Sequence, residues 1–448
     1  MNVTAVFDIG RTNKKWVLFD EKYQLVEESN ETLPETTDED GFPCDDLPLL
    51  TQWVQQHWEN LKKREDITIK AINVAAYGAT LVHLDAQDKP VTPLYSYLKP
   101  IPRAISQQFY SSYGDPMRLA LQTGSPPMGM LNSGLQIYWL KHSRPEVYSQ
   151  IKTTLHLPQY IIFLLTGRKV SDFTSIGCHT ALWSFEMMDY HDWVKAEGIH
   201  KILAPMLAAS SFIARDGGDK VMQSGFGLHD SSSALIPYRM AFKQPFVLLS
   251  TGTWCVNLNP FVARPLTSDQ LERDCLHFMT PEGSGVKASR VFMGREHDHQ
   301  VERIAKYFHV ETNFYKGMDF DEKHLTAPAP PFYPALMEGN GPFPERSPQD
   351  WQVSAFASPE AAYHHLLIGL VNILAASLQL IGVDEVPTLY VDGGFSKNCI
   401  FAQLLARQFP SHEVYTTELP YATALGAALH VTRPQNFEFP GKIRRVEV

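Results

Sequence analysis

Residues Leu228–Asn257 read L-H-D-S-S-S-A-L-I-P-Y and then, after a short link, F-V-L-L-S-T-G-T-W-C-V-N. They set an acid, Asp230, in a small, hydroxyl-rich turn with His229, Ser231, Ser232 and Ser233, where a substrate hydroxyl has room to approach a carboxylate. Further on, the apolar strand Phe246–Leu249 runs straight into Ser250-Thr251-Gly252-Thr253. Such a strand end offers backbone N–H groups and hydroxyls to an anion, because glycine lets the chain turn closely around a phosphate. Phosphoryl transfer from a nucleotide needs both parts, a base for the acceptor and a cradle for the donor. Each part alone also has a plainer reading: an aspartate among serines closes Asx-turns or caps helices, and S-T-G-T is a common hairpin turn.

A chain of 448 residues exceeds one ordinary core, so two large domains are expected. With 44% hydrophobic and 20% charged residues the composition is that of a soluble globular protein. A net charge of -10 argues against a nucleic-acid surface and leaves room for a local anion site. Cys44, Cys178, Cys255, Cys275 and Cys399 form no C-x-x-C pair, which fits reduced thiols rather than a disulfide frame or zinc knot. The start, M-N-V-T-A-V-F-D, enters a strand without a basic and then apolar leader, so no secretory signal is expected. The apolar runs read as too short and interrupted to cross a bilayer. The expectation is a cytoplasmic protein that engages neither membrane nor nucleic acid; a homodimer is left open.

The spacing predicts strands at Val3–Phe7 and Lys15–Phe19 around the polar turn Asp8-Ile9-Gly10-Arg11-Thr12-Asn13. Acid, glycine and threonine there make a second anion and metal corner, with Asp8 suited to a hydrated Mg²⁺ and Thr12 to phosphate. The S-T-G-T strand repeats this strand–turn–strand design in the second half. A helix is expected over Leu49–Lys62 and a buried strand over Ile69–Ala76, ending in Tyr77-Gly78-Ala79-Thr80. Ligands bind at strand ends of α/β sheets, so Gly78 and Thr80 are candidate substrate contacts, a plain glycine turn being the alternative. Helices follow over Leu131–Lys141, Pro145–Ile151 and Pro158–Leu165, with a glycine stop at Gly167, and Asp172 is placed to cap the next one. Asp189–Asp192 and Asp216–Gly218 read as surface turns, Met240–Pro245 as a linker, and the Pro- and Gly-rich Leu325–Pro348 as an irregular loop. His297 and His299 mimic metal spacing but read as a solvated helix start. Pro359–Ile381 is a long apolar helix. Thr388–Val391 leads into D-G-G-F-S-K-N, whose Gly393 and Gly394 let a phosphorylated or flat ligand lie at a helix N-terminus. Glu418–Ala428 opens a small-residue helix suited to packing beside that turn.

D-I-G-R-T-N, H-D-S-S-S-A, S-T-G-T-W and V-D-G-G-F-S-K-N with E-x-x-x-A-T-A-L-G-A-A, in this order across nearly the whole chain, resemble the FGGY carbohydrate kinases, and most of all their rhamnulokinase and fuculokinase branch. The resemblance implies an α/β fold of two actin-like (ribonuclease H-like) ATPase domains with a cleft between them. Residues 1–240 would carry the sugar and the base, and residues 241–448 the nucleotide. It implies Asp230 as catalytic base and Gly78, Thr80, His229 and Ser231 as sugar contacts. Arg11, Thr12, Asn13, Lys14, Lys15 and Thr253 would hold the phosphates of ATP, and Gly393, Gly394 and Asn398 the adenosine. Asp8 would hold Mg²⁺ through water. The halves are expected to close on each other about Met240–Pro245.

Three departures from the branch bear on the sugar: Tyr77-Gly78-Ala79-Thr80 replaces W-G-V-D, Thr280-Pro281-Glu282-Gly283-Ser284 replaces T-N-E-G-G, and Gln136 stands for a lysine before Trp139-Leu140. The alternative is an actin-like ATPase switch without a small-molecule acceptor, which has no need of a hydroxyl-rich pocket around a base. A catalytically dead sugar-binding regulator would not need Asp8, Asp230 and Thr253 together.

Overall fold

Asn2–Ile9, almost wholly buried, lies inside a mixed sheet. It pairs antiparallel with Asn13–Phe19, which pairs with Leu25–Thr32, and parallel with Thr68–Ala76 on its other side. Thr68–Ala76 is also joined in parallel by Val221–Ser224 and by the short strand Leu228–His229. Its apolar run Ala71–Ala76 is buried throughout, as in strands covered on both faces. Leu47–Lys62 supplies part of that cover. Asp46 caps it by accepting from the Leu49 N–H, Pro48 stands in its first turn, and Trp53 and Trp58 are buried. Trp53 meets Phe7 edge to face, ring centroids 5.9 Å apart. The structure, a computed structural model, describes residues 1–207, 211–215, 221–262, 264–326, 328–337 and 350–447. The expected turn Asp216–Gly218 and residues 338–348 of the proline-rich stretch lie outside them.

The same plan recurs around Phe246–Thr251. This strand pairs antiparallel with Cys255–Asn259, which pairs with Gly285–Val291, and parallel with Thr388–Gly393, beyond which Glu413–Glu418 continues in parallel. In both sheets the strand ending in a candidate phosphate turn thus lies between its hairpin partner and a parallel strand. The chain divides into two compact units, one of Met1–Phe242, His277–Gly285 and Tyr421–Pro440, the other of Lys243–Leu276, Val286–Pro420 and Gly441–Val448. Two segments that the sequence reading places after residue 240 therefore belong to the first unit. Pro359–Leu380 corrects another expectation: by length and composition it is apolar enough to cross a bilayer. Most of it is buried inside the second unit, which is the situation of a core helix.

Two local expectations are also corrected. Asp189–Tyr190 is a short strand paired with Trp183–Ser184, and Asp192 opens a helix, so no surface turn forms there. H-D-S-S-S is no turn either: Asp230 is the first residue of the helix Asp230–Ala241. The small-residue helix Ala422–Thr432 packs against that helix. Pro237 explains the contact. It has no N–H to give the Ser233 carbonyl one turn earlier, and Gly426 brings a bare Cα against that oxygen, where any Cβ would collide. Ser233 Oγ donates to Thr423 O at 2.7 Å, and Asn73 Nδ2 donates to Ala427 O at 2.8 Å. Gly426→Ala should lower stability by about 1–3 kcal/mol, outweighing the ~0.5–1 kcal/mol that alanine ordinarily gains over glycine in a helix. A lower midpoint in urea is expected; an unchanged midpoint would show that the helices part without cost.

Candidate active site

In the first unit, strand register carries the two acids to one end of one sheet. Asp8 is level with Ala75 of the neighbouring strand, and Ala75 is level with Leu228 on its other side. Asp8 is the last residue but one of its strand and Asp230 follows Leu228–His229 directly, so both acids stand at the same end of the sheet. The Asp8 carboxyl is pushed up to about 7, first by burial and then by the negative charge of Asp230, with Lys15 offsetting part of it. Asp8 makes no hydrogen bond or ion pair to a described residue. Asp230 is differently placed. Its Oδ1 accepts from the Ser231 N–H at 2.6 Å and the Ser231 hydroxyl at 3.2 Å, and His229 Nε2 lies 3.1 Å away. Its Oδ2 receives no hydrogen bond from a described residue. Asp230 also stands at the positive end of a helix, which favours the anion.

The turn after Asp8 is tight, with Gly10 N–H donating to Asn13 O at 2.9 Å, and it leaves Thr12 and Asn13 exposed. Its two cations are held by carboxylates from a small hairpin, Glu35–Thr37 with Pro43–Asp45. Asp45 takes Arg11 on Oδ2 at 2.9 Å, Lys14 on Oδ1 at 3.1 Å, and the hydroxyl of Tyr77; Arg11 also pairs with Glu35. Lys14 is only 1% exposed and donates to Arg11 O at 2.9 Å, so its side chain braces the turn from within. Arg11 keeps an exposed face. In Tyr77-Gly78-Ala79-Thr80, Ala79 is left-handed (φ 58°), Thr80 is buried with its hydroxyl bonded to Gly78 O at 3.1 Å, and Gln136 donates to Ala79 O at 2.7 Å. That turn presents backbone rather than hydroxyl. A Cβ on Gly78 would stand 2.9 Å from Cys178 Sγ and 3.1 Å from the His229 ring, so only glycine fits between them.

In the second unit the two glycine turns stack. Thr251 Oγ1 donates to Asp392 O at 2.5 Å and accepts from the Phe395 N–H at 3.1 Å. Gly393 (φ 89°) packs on Thr251 O and Gly294 on Gly252 O so closely that a Cβ at either would collide. Beside them opens a cavity of about 530 Å³, lined among others by Thr253, Gly394, Asn398, His297, Tyr315 and Asp298. Asn398 caps the helix Cys399–Gln408 by accepting from the Phe401 N–H at 3.1 Å and donates to Tyr363 Oη at 2.7 Å. Tyr363 Oη also lies 3.0 Å from His297 Nε2, and Tyr315 stacks on the Tyr363 ring. His297 is thus buried and partnered, its pKa lowered by burial, and is no solvated helix start.

The cavity gathers Gly252, Thr253, Gly394 and Asn398, while Gly393 lies behind it as a spacer. Sequence reasoning missed Tyr315, Tyr363 and Gly294 there, and Asp45, Tyr77 and Cys178 in the first unit. Gly294, one residue into the helix Met293–Phe308, carried a usable signal; the others meet only through the fold. Among the described residues no three acids, histidines or cysteines group as a metal cage.

A family model described as "FGGY family of carbohydrate kinases, N-terminal domain" matches residues 3–229, and "Carbohydrate kinase FGGY, C-terminal domain" matches residues 243–438. A rhamnulokinase of Halalkalibacterium halodurans is 25% identical over 57% of the chain and 55% of its own length. One of Oceanobacillus iheyensis is 23% identical over 80% and 77%. The chain thus spans little more than half the length of the first of these relatives. A carbohydrate kinase structure from Novosphingobium aromaticivorans superposes with a TM-score of 0.79 at 24% identity, over 99% of this chain and 94% of that one. A xylulose kinase from Lactobacillus acidophilus gives 0.79 at 19%, over 99% and 93%. At these identities the structures speak for the fold.

Removal of the Asp45 carboxylate leaves Lys14 buried without a counter-charge. Asp45→Ala should therefore cost about 3–5 kcal/mol, the usual penalty for breaking a buried pair from one side. Urea unfolding of the variant checks this; a loss below about 1 kcal/mol would mean that Lys14 finds water or another acid.

Proposed function

Because the chain belongs to the FGGY family of carbohydrate kinases, we propose that it transfers the γ-phosphoryl group of ATP to a primary hydroxyl of a small sugar, with Asp230 as general base. The observation that carries this reading is the asymmetry of Asp230: Oδ1 is tied down by Ser231 and faced by His229, and Oδ2 is left to take a proton. Asp230 Oδ2 accepts the hydroxyl proton as the sugar oxygen bonds to the γ-phosphorus, and ADP departs with the electrons of the broken P–O bond. The first unit holds the sugar, through Gly78, Thr80 and Ser231 around the base; the second unit holds the nucleotide. Thr12 with the backbone of Arg11–Lys15, and Thr253, hold the phosphates, and Gly393, Gly394 and Asn398 bed the adenosine. The sugar we propose is a ketose, a deoxyketohexose of the rhamnulose or fuculose kind, on the strength of relatives named rhamnulokinase and L-fuculokinase. The reaction is placed in the cytoplasm, where ATP is available and the free thiols stay reduced.

The residues present fit Mg²⁺. Asp8 is a carboxylate without a hydrogen-bond partner among the described residues, held against a second acid, a place where a dication relieves repulsion. When bound, Mg²⁺ neutralises charge on the phosphate oxygens. Asp8 would hold it through water, and Lys15 tempers the acid field from the other side.

Two outcomes follow. Asp230→Asn should keep fold and nucleotide affinity while losing about 10²-fold or more in kcat, measured by coupled ADP release across a panel of ketoses, aldoses and polyols. Retention of most wild-type kcat would remove Asp230 as base. The second outcome concerns Asp8, whose folded pKa of about 7 lies above its value of 3.8 when free. Its ionisation therefore costs stability as pH rises through that window and costs nothing below it. Mg²⁺ should raise the thermal midpoint more at pH 8 than at pH 6, and Asp8→Asn should abolish that difference. An equal difference in the variant would take the metal away from Asp8.

A further inference from the structure

The resemblance gives His229 to the sugar, but its imidazole is buried and engaged on both ring nitrogens. Nδ1 lies 3.3 Å from Ser232 Oγ; Nε2 lies 3.1 Å from Asp230 Oδ1 and 3.1 Å from Cys178 Sγ. The ring packs against Phe278, centroids 5.2 Å apart, and against the bare Cα of Gly78. Its backbone is held as well. The His229 N–H donates to Thr174 Oγ1 at 2.9 Å, and Thr174 donates in turn to Asp172, the cap of the helix Phe173–Ile176.

A lone pair on Nε2 would repel a carboxylate oxygen 3.1 Å away, whereas an N–H there is attracted to it. The acid thus selects the tautomer with its proton on Nε2, leaving Nδ1 to accept from the Ser232 hydroxyl. Cys178 Sγ receives the other share of the Nε2 proton and stops the ring from turning away. Burial lowers the pKa of the ring, against the opposing pull of Asp230, and so keeps it neutral. We propose that His229 is a positioning residue for the base: its imidazole, anchored by Cys178 and Ser232, is held with its Nε2 edge against Asp230 Oδ1 so that Oδ2 alone faces the acceptor hydroxyl. The proposal rests on Asp230 being the base and replaces His229's expected role as a sugar ligand. The two Ser231 donors then bond Oδ1 while the imidazole is held against it, which keeps the carboxylate from swinging. Small misplacements of a reacting group cost orders of magnitude in rate.

The test separates positioning from binding. His229→Leu keeps the volume and removes the donor, while His229→Gln returns an amide N–H near the place of Nε2. With the panel ketose that the wild type phosphorylates fastest, His229→Leu should lower kcat about 10–100-fold and change the KM for that ketose less than about threefold, and His229→Gln should recover most of the loss. ATP affinity, measured by calorimetry, should match the wild type in both. A raised KM with kcat intact would make His229 a sugar ligand and overturn the proposal, as would failure of glutamine to rescue a folded leucine variant. If His229→Leu does not fold, Cys178→Ala and Ser232→Ala take its place: each should lower kcat several-fold at unchanged KM, and unchanged kcat in both overturns the proposal. Should Asp230→Asn retain its rate, the base assignment itself fails. Should Asp230→Asn be inactive while the His229 variants keep wild-type kcat, only the positioning role fails.

Discussion

Asp8 and Asp230 leave the same end of one sheet, and holding two carboxylates within each other's field costs free energy that the rest of the first unit must supply. The surroundings answer each acid differently. Asp230 is given a helix N-terminus, the Ser231 donors and the nearby imidazole. Asp8 is given only the partial offset of Lys15, and burial beside Asp230 pushes its carboxyl up to about 7. Two identical side chains thus end in unlike surroundings, one partnered by neighbouring donors and one left without a partner among the described residues.

The second unit works by close approach instead of charge. Its glycine turns are bare backbone because Gly294 and Gly393 bring neighbouring elements to distances that no side chain tolerates. The cation-rich turn of the first unit shows the same economy. Arg11 and Lys14 look like two phosphate ligands in sequence, but Asp45 claims both, with Lys14 sealed inside and Arg11 keeping an exposed face.

Much of this was legible in the residues. The two strand–turn–strand units, the glycine stop at Gly167, the cap at Asp172 and the strand entering D-G-G all depend on neighbours in sequence. The misses have a common cause. H-D-S-S-S satisfies the chemistry of a turn and of a helix start alike, and Pro237, which argues against a helix, is accommodated only because another helix supplies Gly426 against the freed carbonyl. His297 reads as solvated until Tyr363, far along the chain, meets its ring. Asp45 stands 31 residues from Lys14, with nothing in between to announce the pair. The placement of Thr80's hydroxyl on its own turn likewise follows from a left-handed Ala79 that composition does not reveal.

The docking of Ala422–Thr432 onto Asp230–Ala241 also sets an order of events during synthesis. The sheet of the first unit, its covering helices and the base itself are all made within the first 242 residues, yet Gly426, Thr423 and Ala427 are needed to close over Ser233 and Asn73. Until the ribosome has delivered them, the helix that carries the base has an uncovered face and an unsatisfied carbonyl at its proline. Most of the second unit, through Pro420, is therefore translated before the first can be completed. A nascent chain should therefore line the cavity beside Thr253 and Asn398 before the helix that opens at Asp230 is fully packed.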